Sequence, residues 1–321
     1  MTSAIGRSAG GYPDFSVLRD TGYGVGFHWT TRTYPHEGRL KLFQKAVENF
    51  DVRRFVDQVL ETGAGHVLFT GAHIGNHFAA PHPVIDDILP GRTCERDLLM
   101  DIAQELAKHG IKFILYYNSA TYDHDERWRT AVGACRPDPT EFFENYENIL
   151  RWIGEHYGEL ITAYWIDGGY KLAALKPTPW KQLYDATKAG NPRRLVSWAS
   201  GVQRHLFFTE HQDYWSGEVT DLRFRPRGDC TPFGLPWYAF ASYHIMQNPD
   251  VHVAGGLWGI FSPEIRELKW KAPPVQTVVD FIRGFQAVGG TVTLNLLCYQ
   301  EGDIHPSDRR TMAAVRKSLG R

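Results

Sequence analysis

The sequence has few cysteines, and none of them are clustered. Its 321 residues include four, Cys94, Cys135, Cys230 and Cys298, and no two of these form a Cys-x-x-Cys pair. This spacing excludes a zinc knuckle and a disulfide-stapled scaffold. A chain of this length can instead bury a large apolar core.

Long apolar runs and net charge are also lacking. No run approaches the roughly 18 apolar residues of a membrane span, and residues 1–25 contain no apolar stretch typical of a signal peptide. We therefore expect a cytoplasmic protein with no membrane partner. A formal net charge of −1 gives no bulk attraction for nucleic acid, so we expect no nucleic-acid partner either. The sequence does not indicate the oligomeric state.

Aromatic residues, in contrast, are abundant. The chain has 10 Trp, 15 Tyr and 18 Phe. Most of them are expected in the core, but aromatic rings also cover the apolar faces of sugars and other flat ligands. The composition therefore favours a small-molecule ligand of carbohydrate or aromatic type.

Short apolar runs alternate with amphipathic stretches along the chain. The runs predict strands at Gly24–His28, His66–Thr70, Ile111–Tyr117, Ile161–Ile166, Arg194–Trp198 and Gly290–Asn295. The amphipathic stretches predict helices at Asp51–Glu61, Asp97–His109, Thr140–Tyr157, Thr178–Ala189, Pro274–Ala287 and Ser307–Leu319. Long loops around one or two further strands are predicted over residues 200–262.

This alternation predicts an α/β fold with about eight parallel strands. No Gly-x-Gly-x-x-Gly follows the first strand, which favours a (β/α)₈ TIM-like barrel over a doubly wound sheet. We predict a single barrel domain over residues 21–321, preceded by an irregular N-terminal arm over residues 1–20.

Asp167 is the most informative residue. It ends the apolar run Ile161–Ile166 and precedes Gly168-Gly169, so it lies at the tip of a predicted strand. In a barrel that tip opens onto the active-site face. A carboxylate there needs a partner, a ligand or a chemical role, although an Asp that starts a turn is the simpler alternative.

Other polar side chains follow the predicted strands. They are found in His28-Trp29, in Thr70 to His77, in Tyr116 to Ser119 and in Asp213 to Glu218. Strand ends of a barrel converge on one mouth, so these groups predict a sugar site. His28, His73, His77 and Asp167 are also the candidates for a metal site. Because Ile74-Gly75-Asn76 is not helical, we expect no metal there, and no cofactor is indicated.

Five segments stand in a recognisable order. They are Phe27-His28-Trp29, Leu68 to His73, Tyr116 to Ser119, Tyr164 to Gly168, and Gly289 to Asn295 followed by Gly302 to Pro306. In this order they resemble the α-L-fucosidases of glycoside hydrolase family twenty-nine. The resemblance runs in patches from about Tyr23 to Leu319, and it is to a short, diverged member without the family's C-terminal β-sandwich.

The resemblance implies a retaining glycoside hydrolase acting on an α-L-fucoside or a related deoxy-sugar glycoside. Asp167 falls on the nucleophile position and Glu218 on the general acid/base position, and these two carboxyls are expected roughly 5–5.5 Å apart. Desolvation should raise the pKa of Glu218. The residues expected to bind the substrate are His28, Trp29, His73, His77, Tyr117, Trp165, Trp215 and Trp237.

Departures from the family pattern keep a second hypothesis open. Ile74 follows His73 where the family usually has a second histidine, and the Arg expected after the fifth strand is absent, with Arg204 a loose candidate. The alternative is a repurposed barrel, either a non-hydrolytic binding protein or an enzyme of specialised metabolism. Glu210 and Asp221 are rival candidates for the acid/base role.

Overall fold

The predicted (β/α)₈ TIM-like fold class is confirmed. A computed structural model describes residues 14–119, 125–202, 204, 206–242, 244, 257–267 and 272–321. Its eight strands are β1 (Gly24–Phe27), β2 (His66–Ala72), β3 (Lys112–Asn118), β4 (Ile161–Asp167), β5 (Leu195–Trp198), β6 (Glu218–Val219), β7 (Tyr238–Ser242) and β8 (Thr291–Asn295). They form one parallel sheet in the order β5-β4-β3-β2-β1-β8-β7-β6.

Helices connect these strands. They are α1 (Ser16–Arg19), α2 (Phe43–Asn49), α3 (Val52–Thr62), α4 (Pro83–Ile88), α5 (Leu98–Lys108), α6 (Glu126–Ala131), α7 (Thr140–Tyr157), α8 (Gly169–Leu172), α9 (Trp180–Thr187), α10 (Pro263–Glu267), α11 (Val275–Gln286) and α12 (Pro306–Ser318). Within the described residues, none of them is long and apolar enough to cross a bilayer.

Local signals set several helix ends. The Asp51 side chain accepts a hydrogen bond from the Arg54 N–H at 3.0 Å and starts α3, and Asp97 starts α5 in the same way. Within the predicted N-terminal arm, Ser16–Arg19 form α1, and the Asp14 carboxylate accepts a hydrogen bond from the Ser16 N–H. Residues 1–13 lie outside the described residues.

Alternation along the strands separates two apolar layers. One side-chain set points into the barrel and the other packs against the helices. The inward set includes Leu68, Ile114, Tyr116, Ala163, Trp165, Leu195, Tyr238 and Phe240. Gly26 in β1 leaves room for Phe240, because a Cβ at Gly26 would lie 2.5 Å from that ring. The barrel interior is therefore filled by large aromatic side chains.

Inside the barrel, near the amino-terminal ends of β2 and β7, polar side chains form a chain of hydrogen bonds. Both ring nitrogens of His66 are within hydrogen-bond distance of threonine hydroxyls, Thr21 at 2.7 Å and Thr293 at 2.7 Å. The Tyr238 hydroxyl meets the Thr293 hydroxyl at 2.6 Å. Burial lowers the pKa of His66 to about 3, so the ring is neutral at ordinary pH.

The edge strands β5 and β6 are not paired with each other, but Asp213 connects the two edges. Its N–H donates to Val196 O, and its Oδ2 accepts hydrogen bonds from the Val196 N–H and from Lys188 Nζ. The hydroxyl of Tyr184 donates to Oδ1 at 2.7 Å. The segment leading into β6 is thereby joined to β5, which places the end of β6 beside the ends of the other strands.

Candidate active site

A cavity of about 210 Å³ opens at the carboxyl ends of the strands. Its described lining residues are His28, His73, Tyr116, Trp165, Asp167, Tyr170, Gly201, Val202, Glu218, Phe240 and Trp258. Asp167 and Glu218 are the only acidic residues in this lining, and it contains no Lys or Arg. A larger surface groove of about 650 Å³ lies elsewhere, against α4 and α7.

Asp167 is the last residue of β4. Its Oδ1 accepts a hydrogen bond from the Gly168 N–H at 2.7 Å, and its Oδ2 accepts one from the Tyr116 hydroxyl at 2.5 Å. Gly168 has a φ of 75°, a left-handed conformation that favours glycine and lets the chain turn directly into α8. Both carboxylate oxygens are therefore oriented by charge-assisted hydrogen bonds.

Glu218 is the first residue of β6. Gly217 precedes it with a φ of 53°, and a Cβ there would meet Tyr238 O at 1.9 Å, so glycine is needed for this close approach to β7. Burial, together with the negative charge of Asp167 as the smaller cause, raises the pKa of Glu218 to about 8. At neutral pH this carboxyl is mostly protonated and can donate a proton.

Aromatic rings form the wall of the cavity. Tyr116 and Trp165 stack with ring centroids 5.2 Å apart, and Phe240 meets Trp165 edge-on at 5.4 Å. Trp258 lies 4.9 Å from Phe240. The Trp165 N–H donates to Ser216 O at 2.7 Å, which fixes the indole. Such a wall suits a ligand with an apolar face.

Two histidines complete the lining. The ring of His28 lies 5.7 Å from that of His73 and stacks on Phe240. Burial lowers the pKa of His28, with a smaller contribution from His73 and an opposing one from Asn295. His28 is therefore neutral near pH 7 and can exchange a hydrogen bond with a hydroxyl.

The structure brings together half of the residues proposed from the sequence. His28, His73, Trp165, Asp167 and Glu218 line one cavity.

The other five proposed residues do not line it, and each packs elsewhere. Trp29 packs among Phe43, Phe50 and Phe69 on the outer side of the barrel. His77 contacts Arg92 and Phe43, while Tyr117 packs against Phe78 and Tyr146. Trp215 and Trp237 pack edge-to-face on each other with centroids 5.3 Å apart.

The rival acids lie outside the cavity lining. Glu210 is paired with His211 at 3.9 Å, and its side chain is 56% exposed. Asp221 binds Arg223 at 2.9 Å, which lowers the pKa of its carboxyl. Across the described ranges, no group of three or more His, Cys, Asp or Glu side chains is arranged to hold a metal ion.

Sequence reasoning missed several lining residues. Tyr116 has a detectable signal, since it alternates with inward-facing Ile114 on the same strand. Phe240 follows the same rule on β7, but that strand lies in a region with weak periodicity. Tyr170 and Trp258 come from segments between strands, where no periodic pattern exists to place them.

The fold is similar to those of solved glycoside hydrolases. The α-L-fucosidase AlfC from Lactobacillus casei, solved with α-L-fucose product, has a TM-score of 0.64 at 16% identity, over 95% of this chain and 97% of that one. An α-L-fucosidase of family 29 from Bacteroides thetaiotaomicron has a TM-score of 0.65 at 14% identity, over 98% and 76%. The TM-scores show a shared fold, and at 14% and 16% identity the likeness shows the fold alone.

A third similar structure is an endo-fucoidan hydrolase, MfFcnA4 from glycoside hydrolase family 107. Its TM-score is 0.67 at 15% identity, and the match covers 96% of this chain and 54% of that one. Neither a scan against protein-family models nor a search of curated proteins finds a match.

Proposed function

We propose that this protein is a retaining glycoside hydrolase acting on an α-L-fucoside or a related deoxy-sugar glycoside. Asp167 is the nucleophile and Glu218 the general acid/base. The observation that carries the proposal is that two carboxyls in one cavity have opposed environments. Asp167 accepts two hydrogen bonds, whereas Glu218 has a pKa raised to about 8 by burial and by the Asp167 charge.

The two carboxyls have different roles in the reaction. Asp167 attacks the anomeric carbon while protonated Glu218 gives its proton to the leaving oxygen, so a glycosyl–enzyme ester forms and the aglycone departs. Glu218, now ionised, takes a proton from water as that water attacks the anomeric carbon. The ester bond to Asp167 breaks and the net configuration is retained.

The character of the cavity supports a single sugar ring as the glycone. Its volume of about 210 Å³ is below the roughly 300–1,000 Å³ of pockets for drug-sized ligands. Trp165, Phe240 and Trp258 supply apolar surface, while His28 and His73 supply polar contacts. The structurally similar proteins named as α-L-fucosidases favour a fucose-like glycone.

Among the described residues of the lining there is no Lys or Arg, which favours a second candidate function. His77, a candidate to supply the contact of the missing second histidine, contacts Arg92 and is not among the described residues of the cavity lining. Arg204 lies with its guanidinium 5.8 Å from the Tyr170 ring centroid, and it does not line the cavity. A barrel with fewer polar sugar contacts is consistent with a repurposed pocket that binds or transforms another ligand.

A panel of activated aryl glycosides tests the proposal. The purified protein and its Asp167→Asn variant are incubated with each glycoside, α-L-fucoside included, and aryl alcohol release is measured together with the anomeric configuration of the first-formed sugar. We expect release with retention that falls by about 10³-fold or more in the variant. If the folded wild-type protein releases aryl alcohol from none of the glycosides, the repurposed-pocket hypothesis is supported. Equal release by the wild type and by Asp167→Asn would overturn the role of Asp167.

A further inference from the structure

Asn295, the last residue of β8, connects two residues of the cavity lining. It is fully buried, its Nδ2 donates a hydrogen bond to Trp258 O at 2.8 Å, and its Oδ1 lies 3.3 Å from Nδ1 of His28. A carbonyl oxygen only accepts hydrogen bonds, so the amide nitrogen must face Trp258. The amide oxygen must then face His28.

This orientation determines which nitrogen of His28 carries the proton. An amide oxygen has no hydrogen to give, so its contact with Nδ1 is a hydrogen bond only when Nδ1 is protonated. Because burial lowers the pKa of His28, the neutral ring has one proton. With that proton on Nδ1, Nε2 has a free lone pair and accepts hydrogen bonds.

The other groups around His28 do not impose a competing charge. The ring stacks on Phe240 and contacts Tyr116 at 4.7 Å, His73 at 5.7 Å and Trp258 at 5.1 Å between centroids. None of these four is an acid or a strong base. In the part of the chain that the structure describes, Asn295 is the ring's only hydrogen-bond partner. Since Nδ1 is held by β8, Nε2 is the nitrogen left for a ligand.

We propose that Asn295 is a positioning residue that holds His28 as the Nδ1–H tautomer, so that Nε2 is an obligate acceptor for a ligand hydroxyl. The cavity therefore selects a ligand that presents an O–H at this point, and it disfavours an ether, a fluorine or a carboxylate there. The inference rests on the proposed function only for the identity of that ligand as a glycoside.

Nitrogen NMR of ¹⁵N-histidine-labelled protein tests the tautomer directly. The His28 resonances are assigned by their loss in His28→Gln. At neutral pH we expect a protonated Nδ1 and an unprotonated Nε2. Asn295→Leu removes the acceptor at similar volume and should abolish this preference. Asn295→Asp introduces a carboxylate beside Nδ1 and should keep the ring protonated to a pH at least about one unit higher.

Ser242→Ala is the matched control for these variants. It removes a neighbouring hydrogen bond, from Ser242 Oγ to Leu257 O at 2.6 Å, without touching His28. We expect it to leave the His28 tautomer unchanged. A wild-type spectrum with the proton on Nε2 would overturn the inference, and so would an unchanged tautomer in folded Asn295→Leu. If that variant does not fold, the wild-type spectrum and Asn295→Asp decide the question.

A ligand titration tests the acceptor role separately. L-Fucose at saturation should shift the His28 Nε2 resonance, and a bound sugar that leaves it unmoved would overturn that role. Neither measurement requires turnover. A protein that hydrolyses no glycoside but shows the Nδ1–H tautomer would end the proposed function and leave the role of Asn295 intact.

Discussion

Tyr116 and Asp167 are joined by a hydrogen bond in which the tyrosine hydroxyl donates to Asp167 Oδ2 at 2.5 Å. The two residues lie on adjacent parallel strands, where Tyr116 pairs in register with Trp165 and Asn118 pairs with Asp167. Tyr116 is two residues from Asn118, the partner of Asp167, and side chains two residues apart share one face of a strand. The side chains of Tyr116 and Asp167 therefore both lie on the inner face of the barrel. Because the Gly168 N–H holds the other oxygen, the carboxylate is fixed in the cavity.

Removing that hydroxyl tests its contribution. Tyr116→Phe keeps the ring stacked on Trp165 but deletes a hydrogen bond to a charged group, which contributes about 1.5–3 kcal/mol. We expect kcat/KM on an activated aryl fucoside to fall about 10- to 100-fold. Tyr117→Phe is the control, because Tyr117 packs on the opposite face of the same strand. An equal loss in both variants would contradict this assignment.

The neighbouring tyrosines show how far the sequence could be interpreted. Hydrophobic patterning predicted β3 and its polar end, so the strand was located within one residue at each end. The family resemblance placed Tyr117 at the sugar, whereas the structure has Tyr116 in the cavity lining and Tyr117 against Phe78 and Tyr146. A one-residue difference in register exchanges the two faces of a strand. In a barrel both faces of a strand are apolar, so the polar–apolar alternation that would identify the inward-facing tyrosine is weak.

Other parts of the site depend on contacts that no local pattern encodes. Trp258 lines the cavity, and its carbonyl accepts a hydrogen bond from Asn295, which lies 37 residues later in the chain. Trp215 and Trp237 were among the residues expected to bind the sugar, but they pack on each other instead. Asp167 was predictable, since a carboxylate followed by two glycines at the end of a buried strand marks the active-site face of a barrel.

Stability should depend on Asp213, which connects the two edges of the sheet. Its pair with Lys188 is nearly buried, at 2.7 Å with side-chain exposures of 1% and 11%. Asp213→Asn leaves the ammonium without its counter-charge, so we expect urea unfolding to show a loss of about 3–5 kcal/mol. Asp185→Asn removes an exposed pair with Lys181 and should cost less than about 1 kcal/mol. Similar losses in both variants would refute the special role of Asp213.

Acid should destabilise the fold through His66. Its pKa is about 3 in the folded chain and near 6.5 when unfolded, so the unfolded state binds more protons between these values. The contribution of His66 to stability is therefore complete above pH 6.5 and is lost as the pH falls toward 3, by about 2.8 kcal/mol at pH 4.5, two units below 6.5 at roughly 1.4 kcal/mol per unit. Urea titrations from pH 7 to 4 check this. His66→Gln should be less stable at pH 7 but should show a shallower slope, and parallel slopes would contradict the prediction.

Ionisation of Glu218 should destabilise the folded state as the pH rises toward 8. Its pKa is about 8 in the folded state and near 4.5 when unfolded, so the folded state binds more protons in this window. Stability then falls as the pH rises from 4.5 to 8. Glu218→Gln, which carries no charge, should exceed the wild type by about 1–3 kcal/mol at pH 8 and match it near pH 4. A pH-independent difference in unfolding free energy would show that the carboxyl is not desolvated.

The same carboxyl should control which leaving groups the enzyme tolerates. An activated phenol departs with little help, whereas an alkyl or sugar alcohol needs a proton from Glu218. We therefore expect Glu218→Ala to lose about 10²–10⁴-fold on a poor leaving group and far less on an activated aryl fucoside. In the wild type, kcat/KM on the poor leaving group should fall above pH 8, where the acid form is lost, and the variant should lack this limb. Equal losses of the Glu218→Ala variant on both substrates would mean that another group is the proton donor. Glu210→Ala is the control. It changes an exposed carboxylate outside the cavity lining and should behave as the wild type.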